Sequence, residues 1–183
     1  MSSEPPNPSG QSPRRRSSLA RGLRCSRGAV ATEFVLIGPF FMLFMGMIMD
    51  TGILLFQQSI LDNATANAAR LIRTGQIQLA GGSATPFTDE LCVRVGNTIP
   101  CTGLQYKVSA AATFSALSTT VATDGFGNLT GNGTFTPGTA GQDVVVQVAW
   151  SRPYLFIWVG NFVNPNGTSF MVSTLAFRNE LFN

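Results

Sequence analysis

An uncharged apolar run near the N-terminus constrains the fold of this chain more than any other feature. The sixteen residues 34–49 carry no charge, and the apolar character continues to residue 56. A helix needs about 20 predominantly apolar residues to cross a bilayer, and 29–56 supplies 28 if Glu33 and Asp50 are tolerated near its ends. The alternative is a cleaved signal peptide, whose apolar core is only about 7–15 residues long. The run therefore predicts a retained helix spanning a lipid bilayer, with Asp50 at its outer interface.

The formal charge is divided unequally between the two ends of the chain. Residues 1–28 contain six arginines and one acid, a balance of +5, whereas residues 29–183 contain six basic and eight acidic residues, a balance of −2, which together give +3. Basic residues beside an apolar span indicate its cytoplasmic side. We therefore expect a single-pass membrane protein with a cytoplasmic N-terminus and a C-terminal domain on the opposite side. Nucleic acid is not an expected partner, because the positive excess is confined to a Pro-, Ser- and Arg-rich leader that is predicted to be disordered.

The helix is predicted to continue beyond the membrane surface. Between residues 57 and 73 the apolar side chains recur at helical spacing, and they are Ile60, Leu61, Ala64, Ala68, Leu71 and Ile72. Arg70 and Arg73 suit the negative end of a helix dipole, and Gly75 is a plausible terminator. A helix over 29–74 would be about 69 Å long. An anchor followed by a flexible linker would not need this amphipathic pattern.

The remainder of the chain, 75–183, predicts a small β-rich domain. Short β-branched runs lie between stretches rich in Gly, Thr, Ser and Asn. The predicted strands are 143–150, 105–114, 169–178 and, as a fourth, 91–95. We expect an α+β fold, in which a long N-terminal transmembrane and amphipathic helix is followed by a small antiparallel sheet packed on the outer half of that helix. The predicted domains are a leader (1–28), the helix (29–74) and the extracytoplasmic domain (75–183).

Two further stretches of this domain are less regular. Residues 123–142 are interpreted as a flexible surface loop rather than a nucleotide-binding glycine loop, because the glycine spacing does not fit and no strand–loop–helix unit surrounds it. Residues 150–158 are rich in aromatic side chains. They are interpreted either as part of the core, which is favoured, or as an exposed contact surface.

The composition argues against enzymatic chemistry. The chain contains no histidine, which excludes a histidine base, a histidine-containing triad and a histidine-ligated metal site. The acidic residues are scattered, and a membrane-tethered enzyme would need Asp89, Glu90, Asp124 and Asp143 to converge. We therefore expect no enzyme activity, no metal and no cofactor.

Three cysteines have different expected fates. Cys92 and Cys101 lie in the domain predicted to be exported, where oxidising conditions favour a disulfide between them. Two free buried thiols are the alternative. Cys25 lies in the leader and is assigned no role.

A short motif joins the leader to the apolar run. Gly28 follows the basic stretch, and Glu33 and Phe34 stand at the start of the apolar sequence. Glycine allows a processing enzyme close access to an extended backbone. Cleavage after Gly28 would leave a new α-amine on Ala29, about one helical turn from Glu33. In an apolar assembly that carboxylate would need a cation, which the amine of a neighbouring subunit could supply.

These features resemble the N-terminal segment of TadE-like proteins, the pseudopilins of the tight-adherence pilus system. The matching residues are Gly28, Glu33, Phe34, Pro39, Gly46, Asp50, Gly52 and the run Asn67–Arg70, and the run Ala176–Glu180 resembles the end of that family. The resemblance implies that a prepilin peptidase cuts between Gly28 and Ala29. It further implies that the mature protein works with other pilins or pseudopilins and with pilus-assembly membrane proteins, to build a pilus used in surface adhesion.

The competing hypothesis is an uncleaved, signal-anchored periplasmic module that binds a ligand or an envelope component. Processing after Gly28 distinguishes the two hypotheses, because only the pilin-like protein requires a free amine on Ala29.

Overall fold

The computed structural model of the protein describes residues 26–124, 128–158, 160 and 168–182, with only the backbone described at 26–29. Most of the predicted leader, 1–28, lies outside the described residues. The chain divides into two compact units, Met1–Phe44 and Met45–Asn183. The domain boundaries expected after residues 28 and 74 stay predictions.

Helix α1 comprises Ser26–Arg73 and includes Pro39 in its interior. A proline removes one backbone donor, and such positions are tolerated in apolar spanning helices. The helix is terminated as the sequence predicts, by Gly75 in a left-handed conformation with φ 77°. A side chain at Gly75 would also collide with the ring of Phe182. Glycine is therefore needed both for the backbone conformation and for this close approach.

Two short helices follow α1 before the sheet begins. Helix α2 (Gln76–Leu79) is a single turn, and helix α3 (Thr85–Val95) begins with a proline in its first turn. The fourth strand expected at 91–95 is wrong, because these residues form the end of α3. A strand would place Leu91, Val93 and Val95 on one face, yet Val93 is 74% exposed and the other two are buried. Phe87, four residues before Leu91, completes the buried helical face.

Three strands form one antiparallel sheet in the order β1–β2–β3. They are β1 (Leu104–Ala111), β2 (Asp143–Pro153) and β3 (Thr168–Arg178). The register places Val108, Val146 and Leu175 side by side across the sheet. Central strand β2 is buried on both faces from residue 143 to 150, which explains its nearly continuous apolar sequence. The predicted α+β architecture is confirmed.

The core lies between one face of the sheet and the outer half of α1. Leu61, Ala64, Ala68 and Ile72 of the helix are fully buried against a cluster that includes Val108 and Val146. Their spacing of three or four residues is the period of one helical face. The small alanines allow the sheet to approach the helix closely. The expectation that the sheet packs on the outer half of the helix is therefore confirmed.

Contacts along α1 fix the direction of the sheet. Gln58 donates through Nε2 to the carbonyl oxygen of Val172 at 3.1 Å, and Glu180 N–H donates to the carbonyl oxygen of Arg73 at 2.9 Å. The rise from 58 to 73 is about 23 Å in a helix, and that from 172 to 180 is about 26 Å in an extended chain. Strand β3 thus runs in the direction of α1, and β2 runs back along it.

The loop expected at 123–142 is not simply a flexible surface loop. Val108 N–H donates to Thr134 O at 2.9 Å, and Thr136 N–H donates to Val108 O at 3.0 Å. The ring of Phe135 lies 5.6 Å from that of Phe87, and Leu129 is 3% exposed. The described part of the loop therefore covers the free edge of β1 and closes the core, which leaves fewer unpaired edge groups.

Candidate functional site

A band of exposed apolar side chains covers α1 from Val30 to Phe56; we refer to it as the apolar band. Its exposed members include Val30, Phe34, Val35, Leu36, Phe40, Ile48, Met49, Leu55 and Phe56. Only 6% of the most apolar 18-residue window is buried, and among the described residues this is the one helix long and apolar enough to cross a membrane. Contiguous exposed apolar surface of this extent marks contact with a membrane or another protein.

The outer limit of the apolar band is sharp. On the exposed side of α1, Leu55 and Phe56 are each 62% exposed, and the next exposed residues are the polar Ser59, Asp62 and Asn63. The opposite side is already covered by the sheet at this level. The change from apolar to polar exposed residues therefore occurs within one turn of the helix.

Asp50 and Arg152 form a buried ion pair inside the limit of the apolar band. Arg152 Nη2 donates to Asp50 Oδ1 at 2.6 Å, and the two side chains are only 5% and 4% exposed. Leu155 N–H donates to the same oxygen at 3.4 Å. Asp50 Oδ2 and Arg152 Nη1 have no hydrogen-bond partner among the described residues. Either charge buried alone would be uncompensated, which is costly. The ion pair is therefore stable only while the end of β2 lies against the helix.

This pair gives Asp50 a partner that its interpretation as an outer-interface residue did not include. Its partner is 102 residues away in the chain, so no local pattern could reveal it. The one available clue was Asp50 itself, because a carboxylate in an apolar span usually has a partner.

The motif at the start of α1 lies on the exposed helix. Gly28 and Ala29 lie in its first turn. Glu33 is exposed, and Phe34 is 74% exposed. Among the described residues, no ion pair involves Glu33. Within the part of the chain that the structure describes, Glu33 is therefore a carboxylate without a cation, and it lies beside a series of apolar side chains.

Cys92 and Cys101 are joined in a disulfide with a Cα–Cα distance of 5.4 Å. The bond connects the end of α3 to a short 3-10 turn, Cys101–Gly103, that leads into β1. Ile99, within the closed loop, is fully buried. The disulfide therefore restrains the short turn that leads into β1. Cys25 lies outside the described residues.

Two of the four acidic residues considered for catalysis, Glu90 and Asp143, each lie beside an arginine. Glu90 is paired with Arg94 at 2.7 Å, and Asp143 lies 3.8 Å from Arg178. The described residues contain no group of three or more His, Cys, Asp or Glu side chains arranged to hold a metal ion.

The aromatic stretch 150–158 divides into a buried and an exposed part. Trp150 is 6% exposed and belongs to the core, whereas Leu155, Ile157 and Trp158 are 59%, 75% and 45% exposed. Each of the two interpretations of this stretch therefore describes one part of it.

A family model described as TadE-like protein matches residues 28–70. The resemblance drawn from the sequence is thus confirmed over this segment, which includes the motif from Gly28 to Phe34, the apolar band and most of the helix face that contacts the sheet. Comparison with curated proteins and with solved structures found no match.

Proposed function

We propose that this chain is a pilin-like protein of a bacterial tight-adherence pilus system, and that its role is assembly rather than catalysis. The observation that carries the proposal is a single helix with two different surfaces. One half of α1 exposes the apolar band, and the other half packs a small disulfide-bonded domain. The TadE-like match covers both halves. Such a chain can be held in the inner membrane and presents a folded domain outside it.

Processing after Gly28 is the first step of the proposed pathway. A prepilin peptidase at the cytoplasmic face would remove the arginine-rich leader and leave Ala29 as the new N-terminus. The bond between Gly28 and Ala29 lies in the first turn of α1, where backbone N–H groups have no partners within the helix and ends fray readily. Local unwinding there would give the enzyme an extended substrate without disturbing the outer domain.

Glu33 and Phe34 are the proposed assembly residues. In a lipid or protein environment an unpaired carboxylate is costly, and Glu33 has no ion-pair partner among the described residues. The α-amine of a neighbouring pilin or pseudopilin subunit would supply the missing cation. Phe34, which is 74% exposed, would add apolar contact beside that pair.

The decisive experiment is N-terminal sequencing and intact-mass measurement of the protein extracted from the membranes of its native host. We expect a chain that starts at Ala29. Gly28→Val should retain the leader because a β-branched side chain blocks close approach of the enzyme. Gly38→Val is the matched control, since a Cβ there would meet nothing closer than a Phe34 ring atom at 3.9 Å, and it should be cut normally. A start at Met1 in a host with active prepilin peptidase would instead favour the uncleaved binding module.

The assembly role is tested with Glu33→Gln, which keeps the size of the side chain and removes its charge. We expect this variant to be cut normally but to fail to associate with other pilus components, measured by co-purification and by surface pilus formation. Asp62→Asn is the control, because Asp62 is an exposed carboxylate on the same helix. Equal assembly of wild type and Glu33→Gln would contradict the proposed role of Glu33.

A further inference from the structure

An exposed apolar segment follows β2, and we refer to Tyr154–Trp158 as the tip segment. Leu155, Ile157 and Trp158 are 59%, 75% and 45% exposed, and the rings of Phe156 and Trp158 lie 5.7 Å apart. In contrast, nearly all of Trp150 is buried in the core. These exposed side chains are large and close together, and they lie at the end of the sheet next to Asp50.

The position of the tip segment along α1 is fixed by two contacts to one carboxylate oxygen. Arg152, just before the segment, donates to Asp50 Oδ1 at 2.6 Å. Leu155 N–H, within the segment, donates to the same atom at 3.4 Å. These two contacts place the tip segment at the level of Asp50 along the helix, and burial of the ion pair favours their persistence.

The apolar band continues beyond this level. Leu55 and Phe56 lie five and six residues farther along the helix and are each 62% exposed, which places them about 8–9 Å farther outward. A bilayer that covers Leu55 and Phe56 must therefore also reach the level of Asp50. At that level it meets the tip segment as well as the helix.

We propose that the tip segment is a second membrane contact, in which Leu155, Ile157 and Trp158 insert into the outer interfacial region of the lipid bilayer beside α1. Tryptophan favours this region because its ring is apolar and its N–H can reach water or headgroups. The Asp50–Arg152 pair then allows the helix to carry a carboxylate at membrane depth, since each charge neutralises the other. The inference rests on the proposed membrane anchoring, and it assigns the domain a fixed distance from the bilayer.

The two tryptophans of the chain, Trp150 and Trp158, provide the test. The full-length protein is reconstituted into phosphatidylcholine vesicles, and its fluorescence is compared with that of Trp158→Phe. The difference between them is the emission of Trp158. We expect this emission to be shifted to short wavelength, to lose most of its intensity when the lipid carries bromine near the headgroup end of the acyl chain, and to resist aqueous iodide. The remaining emission, from Trp150, should resist both quenchers and serves as the internal control.

Two results would overturn the inference while leaving the anchoring intact. Quenching of Trp158 by iodide would place the segment in water. Protection from both quenchers would show that protein, such as a second copy of the chain, covers it. Flotation of the vesicles in alkaline carbonate reports insertion separately. Failure to float with the vesicles would refute the membrane anchoring, and the inference with it.

Discussion

The two halves of helix α1 share one secondary structure but differ in what surrounds them. From Val30 to Phe56 the large apolar side chains are mostly exposed, whereas from residue 57 to 73 the large apolar side chains lie on one face and pack against the sheet. Most of the large side chains of the first half lie outside the described core, whereas the second half helps to form that core. Helical structure alone therefore does not indicate function. The exposed fraction of the apolar side chains indicates which part of α1 contacts the surroundings of the protein.

The contrast also extends to the charged residues. Glu33, in the first half, has no ion-pair partner among the described residues, whereas Asp50 is neutralised by Arg152 from the domain. Asp50 is thus paired within the chain, whereas pairing of Glu33 with another molecule stays a proposal.

The largest loss of stability is expected from a charged residue placed on the buried face of α1 between residues 57 and 73. Ala64→Asp would add an unpaired buried charge, which costs about 3–5 kcal/mol, and overpacking, which costs about 1–3 kcal/mol. Because total stabilities are about 5–15 kcal/mol, we expect loss of the folded domain, measured by denaturant unfolding in detergent. Ala66→Asp is the matched control, since Ala66 is exposed, and it should change stability by less than about 0.5 kcal/mol. Equal effects of the two substitutions would refute the assignment of the buried face.

Breaking the ion pair should have the next largest effect. Arg152→Ala leaves Asp50 buried and unpaired, so we expect a loss of about 3–5 kcal/mol, and adding Asp50→Asn should recover part of it. Arg94→Ala breaks an exposed pair with Glu90 within one helix and should cost only about 0.3–0.5 kcal/mol. Unfolding curves of the three variants and wild type provide the measurement. A loss at Arg152 no greater than that at Arg94 would show that the buried pair does not stabilise the domain.

Removing the disulfide should lower the stability of the domain without changing its membrane anchoring. Replacing Cys92 and Cys101 together by serine opens a short loop, and the loop-entropy estimate gives a loss of about 2–3 kcal/mol. Membrane association, measured by carbonate extraction, should not change, because both cysteines lie in the domain and outside the apolar band. Cys25→Ser is the control and should alter neither property. Release of the double variant from the membrane would contradict the division of roles between the two halves of α1.

Local patterns were sufficient where one short segment carried all the information. The apolar run, the helical spacing of Leu61, Ala64 and Ala68, and the terminating Gly75 each predicted what the structure contains. The interpretation failed at 91–95, where β-branched residues suggested a strand and burial of Phe87, Leu91 and Val95 on one face produced a helix instead. Weak intrinsic preferences were overridden by packing, as expected for short segments.

The sequence by itself determined the long apolar helix, its amphipathic continuation and the three strands, because each depends on spacing between near neighbours. Only the tertiary structure decided that Asp50 is buried, that residues 128–136 close the edge of β1, and that Trp150 and Trp158 have opposite surroundings. These facts depend on contacts between distant parts of the chain. Burial and charge pairing are properties of the assembled core, so no local pattern specifies them.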